Sequence, residues 1–194
     1  MRPGWLTGAG WAVGVGACLA AGARLWPLAL AGWLANRAFD GLDGPVARAG
    51  QPTDRGGLFD IVADFSIYGG FVLGVAVGEP SARLACVALL AAYYISGTTF
   101  LALSSLLERR RHDDGDPRAL RFVGGLAEGA ETIAVYVLFC VAPAHAAVIA
   151  WAFAVAVAIT AGQRILTATR LLTAPADAPR GAAGNGGAVD GRQD

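Results

Sequence analysis

The stretch Asp40–Asp64 reads DGLDGPVARAGQPTDRGGLFDIVAD. Four of its five aspartates fall at helical intervals. Asp40 and Asp43 are three residues apart and Asp60 and Asp64 four apart, so each pair occupies one face of its own helix. The fifth, Asp54, stands where the second helix begins and fits an N-cap. The connection between the helices is short, so they are expected to be antiparallel neighbours, which lets both pairs converge on one point. The sixteen steps from Arg24 to Asp40 advance about 24 Å at about 1.5 Å each. That is short of a full bilayer crossing, so the carboxylates are expected just beneath one membrane interface.

On either side of this stretch the chain is apolar. Of 194 residues, 55% are hydrophobic and only 15% charged, against about 25% charged in soluble domains. Mean hydropathy is +0.51. A hydrocarbon core about 30 Å thick takes roughly 20 apolar helical residues to cross. That rule predicts an all-α membrane protein of six transmembrane helices: 5–23, 25–47, 57–78, 82–107, 119–142 and 144–172. Residues 1–173 then form the transmembrane bundle and 174–194 a tail rich in Ala, Gly, Pro and Asp, expected to be disordered. Deleting residues 175–194 should therefore leave the bundle's function unchanged in a membrane assay; a large loss would give the tail a role.

Fifteen acids balance fifteen bases, which excludes a nucleic-acid partner on charge grounds. All the bases are arginine. Thirteen of them fall on one side if the chain starts in the cytoplasm, leaving Arg24 and Arg83 on the other. The positive-inside rule then predicts that both termini are cytoplasmic. Arg37 and the Arg109–Arg111 run enter this count as topological charges. Cys18, Cys86 and Cys140 each lie in a separate apolar run and read as small hydrophobes. Gly70, Gly74 and Gly78 form a ridge at helix-packing spacing, as do the pairs Gly10 and Gly14, and Gly125 and Gly129. Such ridges pack the bundle internally or build a homodimer face; spacing alone does not separate the two.

Four carboxylates at membrane depth require an explanation, since one aspartate at mid-span costs about 2.5–3.5 kcal/mol. Oxygen-only ligands select hard divalent ions, Mg²⁺ or Mn²⁺. Four carboxylates on two helices suit a pair of ions that clamps a phosphoryl group. The alternatives are acids that only cap helix ends, and an acid-lined cation or proton transporter. Relays scatter acids through the midplane, whereas these four cluster at one level.

Asp40-x2-Asp43-Gly44-x2-Ala47-Arg48 followed by Gly56-x3-Asp60-x3-Asp64 resembles the signature of the CDP-alcohol phosphatidyltransferases. The resemblance implies metal-dependent transfer of a phosphatidyl group from CDP-diacylglycerol to an alcohol, with release of CMP. It implies that Asp40, Asp43, Asp60 and Asp64 hold the ions and that Asp64 is the base that deprotonates the acceptor. It also implies a nucleotide pocket of Asp40, Gly44, Ala47, Arg48 and Gly56. Two departures stand out. Seven residues, Ala49–Arg55, separate Arg48 from Gly56 where the family usually has eight, which predicts a tighter turn. A Leu6-Thr7 pair replaces the Pro-Asn-x-x-Thr element of many members, and the chain starts close to it.

The acceptor pocket is expected from Arg118, Arg121, Glu128, Glu131 and Arg164, with both glutamates facing the bundle interior. Internal pairing of these acids with Arg121 or Arg164 fits equally. Ser96 and Thr99 either bind a polyol or bond back to their own helix. A phosphorylated acceptor would draw on the arginines, giving phosphatidylglycerol phosphate or a phosphatidylinositol-type product. A CDP-choline or CDP-ethanolamine substrate is the variant within the family. The expected site is the cytoplasmic face of a bacterial plasma membrane.

Overall fold

A computed structural model describes residues 3–49, 54–114 and 129–173, and the side chains at 7–41, 55–107, 109 and 130–170. The described residues form six α-helices: α1 (Pro3–Gly22), α2 (Trp26–Ala49), α3 (Asp54–Gly78), α4 (Arg83–Asp114), α5 (Gly129–Val141) and α6 (Ala146–Thr173). Each overlaps one of the six segments expected from hydropathy. Three stretches, Arg55–Gly78, Pro80–Leu107 and Pro143–Arg170, are long and apolar enough to cross a bilayer. The apolar parts of α1 and α5 are shorter, Thr7–Gly22 and Ala130–Val141. Helix α2 carries Arg37, Asp40, Asp43 and Arg48 along its second half. The protein is thus an all-helical membrane protein.

Two boundaries differ from expectation. Helix α4 continues through Glu108–Asp114, where a polar break was expected. Glutamate and arginine are good helix formers, so a loss of hydrophobicity does not end a helix. Helix α3 starts at Asp54 rather than Gly57, in keeping with the N-terminal place given to Asp54. The tight turn expected before it and the tail after Thr173 lie outside the described residues, as do Arg118, Arg121, Gly125 and Glu128.

Helix α1 packs closely against both α2 and α3, which meet each other through long side chains such as Trp33 on Phe71 rather than as close neighbours; α4 pairs with α6, and α5 fits between α2 and α6. The glycine ridge explains the packing of α1 on α3. A Cβ on Gly74 would run into the carbonyl of Cys18, and one on Gly78 into that of Ala21, while Gly70 lies against the Cys18 thiol. The ridge is therefore a seam between α1 and α3 of one chain, which decides between the two uses left open by its spacing. Gly10 faces Phe39, and Gly14 faces Asn36 and Ile67, so α1 also runs close over the segment that bears the aspartates.

The core centres on Trp33, Phe71, Tyr136 and Phe139, all fully buried. Tyr136 is 4.5 Å from Trp33 and stacks on Phe71 at 4.9 Å, ring centre to ring centre. Its hydroxyl donates to the Tyr68 carbonyl at 2.8 Å, satisfying a polar group where water is excluded. All three thiols are free, with Cys86 and Cys140 buried, as expected of cysteines used as apolar side chains. At the end of the bundle away from the aspartates, Arg24 closes the α1–α2 turn with φ 61°. Its guanidinium donates to Glu79, beyond α3, at 3.1 Å.

Candidate active site

Three helices contribute to one cleft. Helix α1 supplies Thr7, Gly10 and Trp11; α2 supplies Asn36, Arg37, Phe39 and Asp40; α3 supplies Asp60, Ala63, Asp64 and Ile67. Helical periodicity produces this grouping. Asn36 and Asp40 are one turn apart on α2, as are Asp60 and Asp64 on α3, so each helix turns an alternation of polar and small residues toward the seam. Glycine at position 10 keeps α1 close enough to roof the cleft. One wall is fastened by the Trp11 indole, which donates to the Ser66 hydroxyl at 2.9 Å; that hydroxyl donates to the Ala63 carbonyl at 2.7 Å.

The centre of the site is Arg37. Its Nη2 donates to Asp64 Oδ1 at 3.0 Å and its Nη1 to Asp40 Oδ2 at 3.3 Å, so one guanidinium joins a carboxylate of α2 to a carboxylate of α3. Nη1 also donates to the Tyr68 hydroxyl at 2.8 Å. Nε and Nη2 donate to Asn36 Oδ1 at 3.1 and 2.7 Å. Asn36 in turn donates to the Gly10 carbonyl at 2.8 Å, which fixes its amide against α1. The guanidinium lies over the rings of Trp33 and Tyr68, at 4.9 and 5.0 Å. The Arg37 side chain is only 9% exposed, against 50% for Asp40 and 36% for Asp64. The cation is thus walled in while the carboxylates reach the open side.

Three of the four motif aspartates, Asp40, Asp60 and Asp64, meet at this cleft. The side chain of Asp43 lies outside the described residues, as do those of Gly44, Ala47 and Arg48. Among the described residues no three carboxylates, imidazoles or thiols stand close enough to close around a metal ion. The donor chemistry nevertheless suits a hard cation: the acidic side chains lining the cleft are all carboxylates, drawn from two helices. Gly56 is half-buried one turn before Asp60 and does not line the cleft.

The expected acceptor residues fare less well. Glu131 is exposed, not interior, because the buried stripe of α5 runs through Thr132, Tyr136 and Phe139 and Glu131 falls beside it in the first turn. Arg164 is held between helices, donating to the Ser96 hydroxyl at 3.0 Å and lying over Phe100 at 5.4 Å. Thr99 bonds back to Ile95 on its own helix at 2.8 Å. Sequence reasoning missed the role of Arg37, which entered only as a topological charge. The signal was available: an arginine inside an apolar segment, three residues before Asp40, is as costly in lipid as the acids were judged to be.

Comparison with known proteins agrees with this architecture. Inner membrane protein YnjF of Escherichia coli is 37% identical over 136 residues, covering 64% of this chain and 66% of that protein, just under two thirds of its length. The crystal structure of Mycobacterium tuberculosis phosphatidylinositol phosphate synthase with CDP-DAG bound superposes with a TM-score of 0.72 at 21% identity, covering 94% of this chain and 92% of that one, a likeness of fold. The family model for CDP-alcohol phosphatidyltransferase matches residues 2–161. The chain is therefore a member of the CDP-alcohol phosphatidyltransferase family, an enzyme family of membrane phospholipid synthesis.

Proposed function

We propose that this protein transfers a phosphatidyl group from CDP-diacylglycerol to a small alcohol or phosphorylated alcohol and releases CMP. The observation that carries the reading is the convergence of Asp40, Asp60 and Asp64 on one cleft in a chain of this family. Asp40, Asp43, Asp60 and Asp64 would hold Mg²⁺ or Mn²⁺, in two sites. When bound, such ions neutralise the diphosphate and polarise the phosphoryl group under attack.

The remaining work falls to the chain itself. Asp64, reaching the open side of the cleft, takes the proton of the acceptor hydroxyl. Asp40, Gly44, Ala47 and Arg48 receive the nucleotide, the small residues admitting it close to backbone, and Gly56, outside the cleft lining, would meet it only beyond the cleft's rim. The enclosed part of the cleft is only about 30 Å³, room for water rather than for a ligand. The polar head of the substrate would therefore sit at its open mouth, with the acyl chains outside. Leu58, Phe59, Ile61, Val62 and Phe65 form an exposed apolar surface on α3 beside the acids, suited to those chains in the bilayer.

The six helices are read as six spans with both termini and the cleft on the cytoplasmic side of a bacterial inner membrane, supported by the arginine distribution and the likeness to YnjF. For the acceptor, Arg118, Arg121 and Arg164 remain the cationic candidates, with Glu128 and Glu131 as hydrogen-bond partners. The structural likeness to a phosphatidylinositol phosphate synthase supports a phosphorylated acceptor.

The test is an acceptor screen in membranes with labelled CDP-diacylglycerol. CMP release that needs Mn²⁺ or Mg²⁺ and one particular alcohol, and that falls to background in Asp60→Asn, is the expected result. Turnover only with CDP-choline or CDP-ethanolamine would move the protein to that branch. Cation flux without nucleotide turnover would replace the enzyme by a transporter.

A further inference from the structure

The hydrogen bonds of Arg37 divide into two sets. Behind it, Asn36 Oδ1, the Tyr68 hydroxyl and the rings of Trp33 and Tyr68 fix the guanidinium. These are neutral groups, and Asn36 is itself tied to Gly10 of α1. In front, its two terminal nitrogens reach Asp40 and Asp64. The charge is thus held in place by partners other than the carboxylates. An arginine needed only to neutralise two carboxylates that reach the open side would not require so much independent support.

We propose that Arg37 is a positioning residue that acts as the resident counter-charge of the aspartate cleft, so that a divalent cation alone binds weakly and binds well only together with the substrate's diphosphate. This rests on the cation-site reading given above. A cation sharing Asp40 and Asp64 shares them with a fixed positive charge that is itself walled off from water, and like charges at that range repel. Each carboxylate oxygen given to Arg37 is also one withheld from the ion. The diphosphate brings the negative charge that offsets this repulsion. The arrangement keeps the acids paired in the absence of substrate, sparing the cost of bare carboxylates in the membrane, and it makes metal and substrate entry mutually dependent.

The coupling is read by Mn²⁺ titration of the purified full-length protein in lipid nanodiscs, followed by electron paramagnetic resonance, with and without CDP-diacylglycerol. Arg37→Gln removes the charge but keeps a side chain able to hydrogen-bond. Without CDP-diacylglycerol it should bind Mn²⁺ about tenfold more tightly than the wild type. The gain in Mn²⁺ affinity on adding the lipid should shrink by the same factor. Arg37→Lys, which keeps the charge, should stay near the wild-type affinity.

Equal or weaker Mn²⁺ binding by Arg37→Gln overturns the proposal, since a purely structural arginine predicts that result. Should this variant fail to fold, Arg37→Gln with Asp64→Asn compared with Asp64→Asn alone reads the same effect on a cation held by Asp40 and Asp60, with one of the two orphaned carboxylates removed. The same tenfold tightening supports the proposal and its absence overturns it. Failure of the wild type to bind Mn²⁺ in both conditions would instead overturn the cation site itself.

Discussion

Asp64→Asn should reduce CMP release by about 10²–10⁴-fold, the range that a positioned general base contributes. The substitution keeps the shape of the side chain and leaves Oδ1 able to accept from Arg37, whose Nη2 lies 3.0 Å from it. Folding should therefore survive, helped by the second carboxylate, Asp40, that Arg37 also contacts. What disappears is the negative charge and the capacity to take a proton. Much of the Mn²⁺ affinity should persist through Asp40, Asp43 and Asp60. Protein yield and thermal unfolding serve as controls, and turnover is measured at saturating metal and substrate. A near-normal rate would remove Asp64 from the role of base and leave it as a partner of Arg37.

Gly74→Ala should destabilise the bundle by about 1–3 kcal/mol, the usual cost of overpacking a tight core, and Gly74→Leu should prevent its assembly. The added Cβ meets the backbone carbonyl of Cys18, an atom fixed within α1 that cannot turn aside as a side chain could. Gly16 provides the contrast on the partner helix, since a Cβ there would meet nothing within 4 Å. Gly16→Ala should be neutral or add up to about 1 kcal/mol through helix propensity. Thermal unfolding in detergent measures both. Equal effects at the two positions would mean that the seam is not where α1 and α3 are held.

The meeting of Asp40, Asp60 and Asp64 at one cleft was legible in the sequence because helical spacing fixes their face and the membrane makes exposure to lipid costly. The apolar segments were legible for the related reason that a helix in lipid must be apolar over most of its length. Arg37 was not, because an arginine satisfies two rules at once, marking the cytoplasmic side and pairing with acids. Only the geometry, with 9% of its side chain exposed, separates them. Glu131 was misplaced because a single acid near a helix start does not fix the helix's rotation; the bulk of Tyr136 and Phe139 does. The end of α4 was misjudged because hydropathy measures where lipid ends, not where hydrogen-bonded backbone ends. Thr7 was noted only as a remnant of a family element, yet it lines the cleft, since Gly10 and Gly14 bring α1 close over that segment.

The far end of the bundle has a mechanical consequence. There Gly74 and Gly78 press against Cys18 and Ala21, and Arg24 clasps Glu79 across the turns at 3.1 Å. From Gly78 back to Asp64, α3 runs about 21 Å at about 1.5 Å per residue. The ties nearer the aspartates, such as the Trp11–Ser66 hydrogen bond, are made by side chains, so a parting of α1 and α3 would pivot about the end held by backbone contact. A tilt of about 5° over such an arm moves the aspartate end by about 2 Å. A tilt of that kind would make room at the cleft with little disturbance to the seam, and a crosslink near Arg24 should cost the protein far less than one near Trp11.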